Sequence, residues 1–176
     1  MAKAWPVPGL DRDTCFREAA GRVILVRWRE MMSYREGTEL GEDIEELHSM
    51  RVSSRRLRAA MDAFEGVFPR KEFRGYLGQI KAITGTLGDA RDLDVAVERL
   101  EGLREEMGPD AQAGLSGLID RYREQRREED REISALFSRL DDEGFAEHFE
   151  AFVSAHTGID AAAVELPALA ARASEG

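Results

Sequence analysis

Residues 46–64 of the chain read ELHSMRVSSRRLRAAMDAF, and their apolar side chains recur at the spacing of a helix. Projected at 100° per residue, one side of this segment carries Leu47, Met50, Leu57, Met61 and Phe64. Polar and apolar residues do not alternate here as they would in a half-buried strand. The pattern therefore predicts an amphipathic α-helix that packs one face against a core.

The same segment carries a row of basic side chains beside its apolar face. No acidic residue occurs between Leu47 and Met61, although the chain has a formal net charge of -10. Four side chains share an arc of about 80° in the helical projection: His48, Arg51, Arg55 and Arg58. Arg56 projects on another side of the helix, and of the basic residues in this segment it is the least secure candidate for the site. We expect the row to line a cleft between helices.

This row needs a counter-charge, because like charges three or four residues apart destabilise a helix. Carboxylates from other helices, such as Asp92 or Asp94, are one source, and an external anion is the other. His48 and Arg58 are separated by about 15 Å along the helix axis, which linked phosphates can bridge and one phosphate cannot. The planar fork of arginine also suits paired phosphate oxygens.

The composition favours a water-soluble fold and limits the classes of partner. The chain has 176 residues, of which 43% are hydrophobic, but no apolar run has the length of a membrane span. Residues 1–13 lack the apolar stretch of a secretory signal, so a cytoplasmic protein is expected. A sequence pI near 4.9 argues against general binding of nucleic acid, and a polyanion site must therefore be local.

The sequence offers little for metal, cofactor or catalytic chemistry. Cys15 is the single cysteine, and the three histidines do not have the spacing of zinc ligands. We find no P-loop, no carboxylate cluster for metal and no nucleophile–base pair. The prediction is a protein without enzymatic activity, cofactor or metal.

Helix-forming residues dominate the whole chain and predict an all-α antiparallel bundle. We expect an extended arm at residues 1–10, a helical domain at 11–156 and a weakly ordered segment at 157–176. Glycines and prolines divide the domain into predicted helices at 11–35, 42–67, 71–87, 89–107 and 110–140, with a short one that ends near 156. The glycines at 37 and 41 are expected to end the first helix.

A second motif, LGQIKAITGTLGDARDLDV at residues 77–95, joins the predicted third and fourth helices. Gly88 is expected to end one helix and Asp89 to cap the next. Arg91 would then lie in a first helical turn, where free N–H groups and the helix dipole add to anion attraction. Asp92 and Asp94 are expected to orient arginines by salt bridges.

The predicted fifth helix has a polar middle section, residues 123–132, without an apolar side chain. This section either faces water or faces a polar pocket. Glu124 and Arg127 have the spacing of a surface pair, which favours water. Arg126 is the exception, because it projects on the same side as the apolar residues of the helix.

The pattern HxxRVxxRRLR followed by LGxxRDxDV resembles the CHAD family, the conserved histidine α-helical domain. The resemblance covers residues 11–140 and implies a helical bundle with a basic cavity that binds inorganic polyphosphate. It implies that the basic positions of the family are matched by His48, Arg51, Arg55, Arg56, Arg58 and Arg91, with Lys81 added from the third helix.

The chain departs from the family pattern after Leu140. Family members bring a second helix rich in histidine, arginine and lysine, whereas His148 and His156 have no arginine cluster after them. We therefore expect a shortened form with an incomplete second half, and we hypothesise that two copies pair to complete the basic surface.

The expected function is non-enzymatic polyphosphate binding, in the cytoplasm or at polyphosphate granules. The alternatives are an accessory domain to enzymes that process phosphoanhydrides, and a structural or protein-interaction bundle with internally paired arginines. RNA and DNA are weaker candidate ligands, because the motifs lack interleaved aromatic residues for base stacking.

Overall fold

Helices account for most of the backbone in the computed structural model, which describes residues 3–41 and 43–164. The helices in these ranges are α1 (Phe16–Met32), α2 (Arg35–Leu40), α3 (Ile44–Phe64), α4 (Arg70–Glu106), α5 (Pro109–Asp142) and α6 (Phe145–Thr157). Single turns of 3₁₀ helix occur at Glu65–Val67 and Ala161–Ala163. The predicted all-α class is confirmed. In the described ranges, no helix is both long and apolar enough to span a membrane.

The helix α3 occupies the middle of the bundle. It packs against α1 on one side and against α4 on the other, while α4 packs along α5. The short α6 covers α1, where Phe145 and Phe149 meet the ring of Trp28 edge-on. The predicted apolar face of α3 lies in this core, because its central residues are fully buried: Met50, Leu57 and Met61.

The two helices predicted at 71–87 and 89–107 are one continuous helix, α4, so the predicted break at Gly88 is wrong. Gly88 does not have the positive φ of a C-terminal cap glycine. A glycine inside a helix costs only about 1 kcal/mol relative to alanine. Leu87 and Ala90 on either side are fully buried, and their packing carries the helix through the glycine.

The first predicted helix is also divided differently. Residues 11–15 form a turn, in which the Asp11 carboxylate accepts hydrogen bonds from Asp13 N and Thr14 Oγ1. The helix α1 ends at Met32, and Gly37 lies inside the next helix, α2, which ends at Gly41 with φ of 67°. Of the two glycines that were expected to end the first helix, only Gly41 ends a helix.

The start of α3 follows the expected capping chemistry. The Asp43 side chain accepts a hydrogen bond of 2.8 Å from Glu45 N, and two acidic residues occupy the first turn. Glu42 lies outside the described residues, as does most of the predicted C-terminal segment, from 165 to 176. The break predicted at Gly108 and Pro109 is confirmed, because α5 begins there.

Candidate anion-binding site

The helices α3 and α4 are joined by a short turn and meet along a seam that carries both sequence motifs. Arg51 of α3 lies against Gly88 of α4, where an added Cβ would be 3.6 Å from Arg51 Nε and 3.9 Å from Nη2. This contact places the Arg51 guanidinium beside Gly88 and so brings the two motifs together across the antiparallel helices.

The helical projection of α4 places its basic residues on the side that faces the basic row of α3. Lys81, Gly88 and Arg91 project within about 80° of one another on α4, beside its buried face. The contact between Arg51 and Gly88 shows that this side of α4 faces the basic row of α3. We call the resulting surface the basic groove, and it is formed by His48, Arg51, Arg55 and Arg58 of α3 with Lys81 and Arg91 of α4.

Two guanidinium groups in the wall of the groove have buried donors without a partner. Arg51 Nε and Arg91 Nη1 are both inaccessible to water and make no hydrogen bond. Neither side chain forms an ion pair with a described residue. Leaving a buried donor unpaired costs about 1–3 kcal/mol, and more for a charged group. Both donors therefore lack a hydrogen-bonded acceptor, although the Asp94 carboxylate, whose Oδ2 is also buried and unpaired, attracts Arg91.

The remaining groove residues lie nearer to solvent. Arg55 and Lys81 are exposed, and neither forms an ion pair within the described ranges. Arg58 has a carboxylate nearby, since its Nε lies 3.9 Å from Asp62 Oδ2, but both side chains are about half exposed. His48 is half-buried and has no hydrogen bond to a described residue. Asp62 therefore neutralises the charge of Arg58 only weakly, at one end of the row.

Of the two carboxylates expected to neutralise the row, Asp94 pairs with another arginine through Oδ1, and its Oδ2 is buried without a hydrogen-bond partner. Arg126 of α5 donates to Asp94 Oδ1 at 2.7 Å and also pairs with Asp130. Burial raises the pKa of Asp94, while Arg126 and Arg91 act in the opposite direction. Asp92 is exposed and lines a separate pocket between α4 and α5. The predicted salt-bridge role of Asp94 is confirmed, but its hydrogen-bonded partner is Arg126.

The family model of the CHAD domain matches residues 22–175. This chain belongs to the CHAD family. The match includes every predicted site residue, and it confirms the resemblance that the two motifs carry. No curated protein matches the sequence.

One basic position of the CHAD motif lies outside the groove. Arg56 faces α1, where its Nη1 donates to Glu30 Oε1 at 3.0 Å. Glu30 is completely buried, pairs with Arg27 as well, and accepts a hydrogen bond from the backbone N–H of Trp5. Arg56 therefore joins a structural network that ties α3 to α1 and to the N-terminal arm.

Sequence reasoning missed Glu30 as the centre of that network. Its only signal is a lone acidic residue within the largely apolar stretch ILVRWREMM at 24–32. The projection did separate Arg56 from the row, which agrees with its position against α1.

The position of Arg91 in this CHAD domain also differs from the expectation. Because α4 is continuous, Arg91 lies in its middle and not in a first turn. Its backbone N–H is engaged in the helix, so the predicted contribution of a helix terminus to anion binding is wrong. The contribution of Arg91 is the guanidinium itself.

The described residues contain no group of three or more histidine, cysteine, aspartate or glutamate side chains arranged to hold a metal ion. The guanidinium and ammonium groups of the basic groove offer charge-assisted hydrogen bonds.

Proposed function

We propose that this CHAD domain binds inorganic polyphosphate in the basic groove and does not transform it. The observation that carries the proposal is the pair of buried, unpaired donors on Arg51 and Arg91, which lie on facing helices. Phosphate oxygens are suitable acceptors, because a guanidinium can donate two parallel hydrogen bonds to them.

A linear polyanion fits the groove better than a single phosphate does. The row from His48 to Arg58 extends over about 15 Å, and its cations recur at every turn of α3. A chain of linked phosphates presents charge at repeated intervals along the same direction. Each ligand phosphate can then meet a different cation of the row.

The net negative charge of the chain confines a polyanionic ligand to the groove. With a formal net charge of -10, most of the surface repels a polyanion. Binding consists of charge-assisted hydrogen bonds together with the release of counterions from the ligand. The logarithm of the affinity should therefore fall linearly with the logarithm of the salt concentration.

Calorimetric titration of Arg51→Glu/Arg55→Glu with polyphosphate tests the proposal. We expect the variant to lose binding, while the control Arg121→Glu/Arg139→Glu, with the same change in net charge on exposed positions of α5, retains most of it. Arg51→Gln/Arg55→Gln gives a milder second variant, and thermal unfolding checks that each protein folds. Binding by Arg51→Glu/Arg55→Glu at the level of the control would contradict the proposal. A structural role alone predicts lower melting temperatures without a specific binding loss.

The absence of catalysis is a separate part of the proposal. We expect no phosphate release when the protein is incubated with polyphosphate and a divalent metal ion. Release that depends on the protein and is lost in Arg51→Glu would overturn this part and leave the binding proposal intact.

The proposed partners follow from the same chemistry. Polyphosphate should outcompete RNA at equal phosphate concentration, because the groove has no phenylalanine, tyrosine or tryptophan on which bases could stack. A second copy of the chain would complete the basic surface in our proposal, and sedimentation with and without polyphosphate tests this.

The proposed location is the cytoplasm, at polyphosphate granules, which imaging of a tagged protein can check.

A further inference from the structure

The basic side of α4 continues beyond the groove, toward the first residue of the helix. Arg70 and Arg74 project within about 40° of Lys81 along the same continuous helix. Both side chains are exposed. The line of cations on α4 therefore extends past Lys81, where the groove defined by the two motifs ends.

The fold does not neutralise these two arginines. Neither Arg70 nor Arg74 forms an ion pair within the described residues, and Glu72, the acidic residue of the first turn, projects on the opposite side of α4 from Lys81. Arg70 is the first residue of α4, where positive charge is also opposed by the helix dipole. An external anion would remove this unfavourable electrostatic energy.

Two glycines lie along the same side of α4 as these cations. Gly78 lies between Arg74 and Lys81 on this side of the helix, and Gly85 lies between Lys81 and Gly88. A Cβ added at Gly78 or Gly85 would meet no atom within 4 Å. A chain-like ligand could therefore pass these two positions of α4 without crossing a bulky side chain.

We infer that Arg70 and Arg74 form a second half of the binding track and give it a preference for long polyphosphate chains. This inference rests on the proposed function. The track from Arg70 to Arg91 is about 31 Å long, twice the length of the row on α3. A short phosphate oligomer held by Arg51 and Arg91 cannot reach Arg70, whereas a long chain contacts both halves at once.

The test compares two probes on the full chain: tripolyphosphate, followed by NMR titration, and long-chain polyphosphate, followed by calorimetry. For Arg70→Glu/Arg74→Glu we expect long-chain affinity to fall by roughly tenfold or more, and the slope of log affinity against log salt to drop by roughly 1.5 for the two lost contacts. Affinity for tripolyphosphate should stay unchanged. Both positions are exposed, and glutamate at position 70 is favoured by the helix dipole, so we expect the variant to fold.

The control is again Arg121→Glu/Arg139→Glu, which removes the same charge from α5. The inference is overturned if Arg70→Glu/Arg74→Glu binds long chains as tightly as the control does. It is also overturned if the variant loses affinity for both probes to the same extent. In either case the groove proposal stands. If the unchanged protein binds neither probe, the proposed function fails and the inference fails with it.

Discussion

Arg51 of α3 lies directly against Gly88 of α4, so that an added Cβ at the glycine would be only 3.6 Å from the guanidinium Nε. This contact joins the two sequence motifs of the CHAD domain in space. No side chain from α4 comes between the helices at this level, because residue 88 has none. The glycine thus gives the Arg51 guanidinium its place in the wall of the groove.

Substitutions at Gly88 should separate helix stability from anion binding. In Gly88→Ala the new methyl group would make an ordinary contact with Arg51, and the helix should gain about 0.5–1 kcal/mol in free energy of unfolding. Binding should be retained. In Gly88→Leu the longer side chain should displace the guanidinium, and polyphosphate affinity should fall by roughly tenfold or more for a lost charge-assisted contact.

Urea unfolding and calorimetric titration measure these two effects. Equal polyphosphate affinity in the alanine and leucine variants would show that the position of Arg51 does not matter for binding.

Arg56 should behave as a structural residue although it belongs to the family motif. Arg56→Met removes the 3.0 Å hydrogen bond to the buried Glu30 Oε1, and we expect a loss of about 1–3 kcal/mol in the free energy of unfolding. Arg27 and the Trp5 N–H still contact Glu30, which limits the loss. Polyphosphate affinity of the folded variant should not change.

The matched control is Arg55→Met on the neighbouring residue. It should show the reverse pattern, with weaker binding and nearly unchanged stability, because Arg55 is exposed. A binding loss in Arg56→Met as large as in Arg55→Met would place Arg56 in the site after all.

The pair formed by Arg126 and Asp94 should make stability depend on pH when it is broken. Arg126→Met leaves a partly buried carboxylate without its hydrogen-bonded partner, and we expect a loss of about 2–4 kcal/mol at neutral pH. Burial already raises the pKa of Asp94, and removing Arg126 should raise it further. The folded variant then binds a proton more tightly than the unfolded chain does, so its deficit should shrink as pH falls toward about 4.

Urea unfolding at neutral and at acidic pH checks this behaviour. The double variant Arg126→Met/Asp94→Asn serves as the control, because it has no carboxylate left to titrate at this position. A deficit in Arg126→Met that is equal at both pH values would show that Asp94 is not the group responsible.

The sequence predicted the helical face of α3 and the side on which its cations lie, because both follow from local periodicity. It also separated Arg56 from the row and Arg126 from the surface pairs around it. Gly88 was misread, since the local signal of a glycine is weaker than the packing of Leu87 and Ala90 around it. Glu30 could not be found, because its partners come from α3 and from the N-terminal arm, and no local pattern joins them.

The unpaired donors of Arg51 and Arg91 are the centre of this account, and NMR of the arginine Nε–Hε and Nη–Hη groups during a polyphosphate titration observes them directly. We predict that the largest shifts occur at Arg51, Arg55 and Arg91, while internally paired arginines such as Arg29, which binds Glu150, shift little. Shifts spread evenly over all arginines, or absent from Arg51 and Arg91, would contradict the account.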